Sequence, residues 1–334
     1  MKALVIHAAE DIRWEDRDDP QPAEGEVRLR VRFVGICGSD LHYYFHGANG
    51  EYTIREPLTP GHELSGVVDL DPSGRLAPGT PVTVHPARHG ADVPGLEEHP
   101  HLRPGGDYLG SAATTPHRQG AAAEHLIVAE HMVRTLPDGL PLERAALAEP
   151  LAVALHAVSL AGDIRGRRVF VAGAGPIGLL VVAAARRAGA ADIAASDLRP
   201  EPLARAVALG AGDTFLIGRD AVVDESADVV FECSGAAPSL TQALRTVRRA
   251  GTVVQVGMLP NEKIRANLAP LLAKEVALHG AFRFSDEIDD AIAYLAETDA
   301  LDAVVSHVLP ASDAAGAFEI ARDSSASAKV LLAL

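Results

Sequence analysis

The chain has 334 residues, 48% of them hydrophobic and 22% charged, and a formal net charge of −15. That length exceeds what one hydrophobic core usually carries, so two domains are expected. The negative balance argues against nucleic acid or an anionic membrane as the main partner, and the two cysteines, Cys37 and Cys233, exclude a disulfide framework and suit a reducing cytoplasm.

The first residues, Met1 to His7, lack the long apolar run of a secretion signal. No stretch reads as a membrane span, because the apolar run 145–161 is interrupted by Glu149, Pro150 and His156. Val27, Leu29, Val31 and Phe33 alternate with Arg28, Arg30 and Arg32, the pattern of a half-buried strand. Further short strands are expected at 64–70, 81–84 and 124–128, between Pro/Gly turns. Residues 85–120 have little periodicity and are rich in Pro, Gly and His. They read as a long loop or small lobe, a feature that is often functional or part of an interface.

Near Arg167 the pattern changes. Strands are expected at 169–172, 192–196, 228–233, 252–256 and 276–282, and helices at 176–187, 201–209 and 239–248. This alternation implies a parallel sheet covered on both faces. Helices near 287–296 and 314–322 and a closing strand at 329–332 complete the chain, and no internal repeat is evident.

Gly173-Ala174-Gly175-Pro176-Ile177-Gly178 follows a strand and opens a helix, the setting that a dinucleotide fingerprint requires. Gly173 permits the tight turn, Gly175 lets a pyrophosphate approach the backbone, and Gly178 allows close helix–strand packing. The helix N-terminus faces the phosphates. Asp197 ends the second strand, where a carboxylate binds the ribose hydroxyls of NAD and repels a 2′-phosphate. Nearby Arg199 could instead accept that phosphate, so NAD is expected with NADP as the alternative.

Cys37, between glycines at a strand end, and the pair His62-Glu63 offer a thiolate, an imidazole and a carboxylate. These are credible ligands for a catalytic Zn²⁺ with one open position. Glu149 adds a carboxylate among apolar neighbours at a helix start, where Pro150 is tolerated. Cys233 lies in an apolar strand and reads as a core residue. A metal that polarises an alcohol and a fold that holds a nicotinamide point to hydride transfer.

These motifs resemble the zinc-dependent medium-chain dehydrogenase/reductase superfamily, in its polyol and sugar-acid branch. The resemblance is carried by GICGSDLHYYFHG at 35–47, GHELSG at 61–66, YLGSAATTPHRQG at 108–120, AEPLAVALH at 148–156, the fingerprint, VVQVGM at 253–258 and KEVALHGAFRFS at 274–285. It implies an α/β fold: a GroES-like, mainly β catalytic domain (1–153 and 286–334) around a Rossmann domain (154–285). It assigns Cys37 and His62 to catalytic zinc, with Glu63 and Glu149 as alternating or additional carboxylate ligands and Asp40 orienting a ligand from behind. It adds Pro176, Ile177, Val256, Gly257 and Phe282 to the cofactor contacts. Many relatives hold a structural zinc with four cysteines in the lobe, which here has none. Its His85, His89, His99, His101, Glu97 and Glu98 read as a solvated loop rather than a substitute site, so one zinc per subunit is expected.

In the mechanism that the resemblance implies, Ser39 accepts the substrate proton and His42 passes it to solvent. Ser39 also reads as a cap for the helix that follows. Tyr43, His46 and Arg283 are the substrate candidates, and the Arg283 guanidinium suits a carboxylate. The expected reaction is NAD-dependent oxidation of a sugar-acid secondary alcohol, foremost L-idonate to 5-keto-D-gluconate. A sorbitol or xylitol dehydrogenase is the alternative, and a zinc-free NADPH-binding reductase or non-catalytic member is the reading from a different class. A cytoplasmic homo-oligomer, dimer or tetramer, is expected.

Overall fold

A computed structural model describes residues 1–334. The mainly β part is built on the strand Glu26–Gly35, which pairs antiparallel with Glu63–Leu70 on one side. On its other side it meets His125–Ala129 along its first half and Lys329–Ala333 along its second. Pro81–Val84 and Val133–Thr135 extend the sheet at one edge, and Val305–Pro310 extends it at the other. The last strand therefore joins the sheet built by the first half of the chain, while Lys2–Ala8 and Asp11–Asp16 pair in a separate two-stranded sheet. The alternating apolar residues Val27, Leu29, Val31 and Val34 fill its interior together with Leu64, Val68, Val82 and Val128.

The second part is a six-stranded parallel sheet. Its order is Asp213–Leu216, Asp192–Asp197, Arg168–Ala172, Ala227–Glu232, Val247–Gln255 and Ala277–Gly280. The order reverses beside Arg168–Ala172, and at such a reversal the loops leaving two neighbouring strands part and leave a crevice. Helices Pro176–Arg187, Pro200–Leu209 and Ala237–Thr246 are the crossovers.

Several elements differ from expectation. Strands Lys2–Ala8, Asp11–Asp16 and Val305–Pro310 were not foreseen. The helix expected to reach 248 ends at Thr246, and a strand begins at Val247, where β-branched side chains favour extended backbone. Residues 85–120 contain only a two-residue hairpin, Ala87–Arg88 with Asp107–Tyr108, a 3₁₀ turn at Pro100–Leu102 and turns. Helix Ala148–Leu160 runs across the expected domain boundary at 153/154, and its buried face joins the core of the parallel-sheet domain.

Candidate active site

Cys37 ends the loop after the central strand, and Gly61-His62 precede the strand Glu63–Leu70. Their ligand atoms and that of Glu63 all lie within 4.8 Å of one another. Asp40, buried in the first turn of helix Gly38–His46, ties these two segments together. Its carboxylate accepts the Cys37 N–H at 2.9 Å and the Gly61 N–H at 3.1 Å. The helix cap is thus Cys37 with Asp40, not Ser39 as the sequence suggested.

Glu63 fits because position 35 is glycine: a Cβ there would stand 2.1 Å from Glu63 Oε2. The other oxygen, Oε1, accepts from Lys329 Nζ at 2.6 Å, and Lys329 also donates to the Ile36 carbonyl at 3.1 Å. Burial works against the Lys329 charge, but Glu63 and Cys37 hold its pKa above the usual lysine value. Lys329 was missed in the sequence, where nothing distinguishes it from any lysine near a chain end.

The donor set fits a divalent cation. Glu63 Oε2 is buried without a hydrogen-bond partner. Burial disfavours a charged His62, yet the facing Cys37 thiolate and the Glu149 and Asp40 carboxylates push its pKa up to about 10. A proton on the imidazole stands in for the positive charge that this anionic cage favours.

Glu149, in the first turn of Ala148–Leu160, is 5% exposed and lies outside the three-ligand cluster. Its Oε1 accepts from the Tyr108 hydroxyl at 2.5 Å. Burial raises the carboxyl pKa, and His62 opposes the shift. Burial and Glu149 together hold Tyr108 well above the usual phenol value, so it remains a donor. The Arg283 guanidinium lies 3.9 Å from the centre of the Tyr108 ring and 4.8 Å from that of Phe282.

Ser39 and His42 lie one turn apart on helix Gly38–His46, and residues at that spacing share a helix face. Partial burial and then His46, whose ring is 5.7 Å away, hold the His42 pKa below its usual value. Tyr43, the other substrate candidate on this helix, is buried. It points into the core at 2% exposure, and its hydroxyl oxygen accepts the Ala112 N–H at 3.0 Å. On this short helix the buried face runs through Tyr43 and Tyr44, while His42 and His46 face outward.

At the crevice of the parallel sheet, Gly173 has φ 93° and packs against the Ser234 backbone, where a Cβ would approach to 2.9 Å. A Cβ at Gly178 would meet the Gly173 carbonyl at 1.9 Å. Pro176 and Ile177 open the helix. Asp197 accepts the Ala174 N–H at 2.8 Å and the Arg199 N–H at 3.0 Å, so its carboxylate is fixed over the glycine turn. Val256 and Gly257 both donate to the Glu232 carbonyl at 2.8 Å, on the same edge of the sheet. Phe282 is 41% exposed beyond the last strand. Of the lobe histidines, which the sequence suggested were solvated, His85 is buried and its Nε2 donates to the Ser285 carbonyl at 2.8 Å, and the His101 and His156 rings meet edge-on at 4.9 Å between centroids.

A nicotinamide crevice beside a thiolate–imidazole–carboxylate cage defines a metal-dependent dehydrogenase. The chain belongs to the zinc-dependent medium-chain dehydrogenase family, in its polyol branch. Residues 23–138 match the alcohol dehydrogenase GroES-like domain, and residues 176–297 match the zinc-binding dehydrogenase domain. It is 34% identical to sorbitol dehydrogenase of Gallus gallus, over 95% of this chain and 92% of that protein. It is 35% identical to L-idonate 5-dehydrogenase (NAD(P)(+)) of Escherichia coli K12, over 91% and 90%. The crystal structure of L-idonate 5-dehydrogenase from E. coli superimposes with a TM-score of 0.94 at 31% identity, covering 100% of this chain and 98% of that one. The protein is therefore a dehydrogenase of polyols or sugar acids, with zinc and a nicotinamide dinucleotide as cofactors.

Proposed function

We propose that this enzyme oxidises the C5 hydroxyl of L-idonate to 5-keto-D-gluconate with NAD. The observation that carries the reading is Arg283. It is half-buried beside the cage, rests on the faces of Tyr108 and Phe282, and has no hydrogen-bond or ion-pair partner in the chain. A half-buried guanidinium stacked on two aromatic rings and without an anion suits a ligand that brings its own carboxylate, which a sugar acid does and a polyol does not. The likeness to E. coli L-idonate 5-dehydrogenase supports the same assignment.

Cys37, His62 and Glu63, with Glu149 nearby, would hold the zinc ion, which would supply the Lewis acidity that makes a secondary hydroxyl acidic near neutrality. Asp40 and Lys329 hold the cage from behind. The Ser39 hydroxyl accepts the substrate proton, and His42, neutral at pH 7 because its pKa is depressed, takes it on to solvent. Gly173, Gly175 and Gly178 seat the pyrophosphate, and Asp197 holds the ribose and disfavours a 2′-phosphate. Val256, Gly257 and Phe282 would flank the nicotinamide, while Arg283 and His46 would contact the substrate.

The second reading, a sorbitol or xylitol dehydrogenase, is favoured by the equal likeness to sorbitol dehydrogenases. Turnover of L-idonate, D-gluconate, sorbitol, xylitol and L-threonine with NAD and NADP separates the two. We expect the highest kcat/KM for L-idonate with NAD, and a raised KM for L-idonate in Arg283→Ala with little change for sorbitol. A sorbitol kcat/KM above that of L-idonate would overturn the assignment. A cytoplasmic homo-oligomer completes the proposal. Exposed Leu278 on the outer strand Ala277–Gly280 and exposed Leu272 on the short helix before it support the association, which light scattering measures.

A further inference from the structure

The lobe at residues 85–120 has no cysteine, yet one of its side chains reaches the metal centre. Tyr108 lies on the lobe's two-residue hairpin strand Asp107–Tyr108, paired to Ala87–Arg88. Its side chain is 5% exposed and sits between two parts of the active site. On one side Arg283 covers its ring at 3.9 Å, and on another the His62 ring meets it edge-on at 5.3 Å between centroids. The hydroxyl ends on Glu149 Oε1 at 2.5 Å.

Glu149 itself comes from a helix start, where a glutamate has three rotatable bonds and nothing in its own turn to fix them. A carboxylate with one oxygen engaged by a strong donor keeps one orientation and presents its other oxygen in one direction. Groups behind metal ligands orient them in this way, and their loss typically weakens metal retention or activity by about 10–100-fold.

We propose that Tyr108 is a positioning residue of the metal centre: its hydroxyl sets the Glu149 carboxylate relative to Cys37 and His62. The lobe thereby contributes to the catalytic metal rather than to a metal of its own. The inference rests on the assignment of Glu149 to the metal site.

The test is Tyr108→Phe, which keeps the ring, its stacking with Arg283 and its edge contact with His62. It is combined with Glu149→Ala in a double-mutant cycle on the zinc-loaded enzyme. Zinc release to a chromogenic chelator and steady-state kinetics are read in each variant, with Arg103→Ala as a lobe control that removes the ion pair to Asp92. Expected for Tyr108→Phe are zinc release faster by about 10-fold or more, a lower kcat and an unchanged KM for NAD. In the Glu149→Ala background the added Tyr108→Phe changes neither reading beyond about twofold, and Arg103→Ala leaves both near the parent. If Glu149→Ala alters release and turnover but Tyr108→Phe does not, or if the two losses multiply, the positioning role is refuted. If Glu149→Ala alters neither, the assignment of Glu149 itself has failed.

Discussion

Lys329→Met removes the positive partner of Glu63 and keeps much of the side-chain volume. The two side chains are 3% and 1% exposed and 2.6 Å apart, and at an effective dielectric constant of about 20 their attraction is roughly 6 kcal/mol. Desolvation offsets most of that gain, but removing one partner leaves a buried carboxylate uncompensated, which costs about 3–5 kcal/mol. For a catalytic domain of roughly 200 residues, an unfolding entropy of about 2.1 cal/mol/K per residue turns this into a fall in Tm of about 7–12 °C.

The measurement is calorimetric melting with and without chelator. With zinc bound the cation also compensates Glu63, so the fall is smaller than in the chelated protein. Adding Glu63→Gln to Lys329→Met removes the stranded charge and recovers at least half of the lost stability in the chelated protein. A chelated Lys329→Met that melts within about 2 °C of the parent would show that Glu63 does not need this partner, as would a double variant no more stable than the single one.

Gly35→Ala places a Cβ where Glu63 Oε2 now lies, 2.1 Å away. Displacement of that ligand is expected to weaken zinc retention by about 10-fold or more, measured by metal analysis after dialysis against a mild chelator. The acid limb of kcat/KM should follow His42, which works as a neutral base. Its pKa lies below 6.5, so the limb falls below pH 6.5 and activity is full above it. His46→Gln removes a like charge and moves the limb upward toward 6.5, whereas a limb that stays fixed in His42→Gln would take His42 out of the proton path.

Much of this protein could be read from the chain because its signals are local. The glycine fingerprint, its strand and its helix are contiguous, so periodicity and turn chemistry identify the crevice without any long-range contact. Cys37 and Gly61-His62 are likewise marked by strand ends and glycines. The lobe was illegible beyond its extent, because two-residue strands and turns carry no period. The burial of Tyr43 was not legible, because a nine-residue helix with aromatic and histidine residues on adjacent faces does not reveal which face the core takes.

Fold class, the dinucleotide turn and the kinds of ligand in the cage were legible along the chain, since each follows from residue type and short spacing. Which carboxylate is held by which donor came from the folded arrangement alone. Lys329 reaches Glu63 because the last strand pairs with Glu26–Gly35, and Tyr108 reaches Glu149 because the lobe folds over the start of helix Ala148–Leu160. Such partners are far apart along the chain, and no local pattern records which buried charge will need which donor.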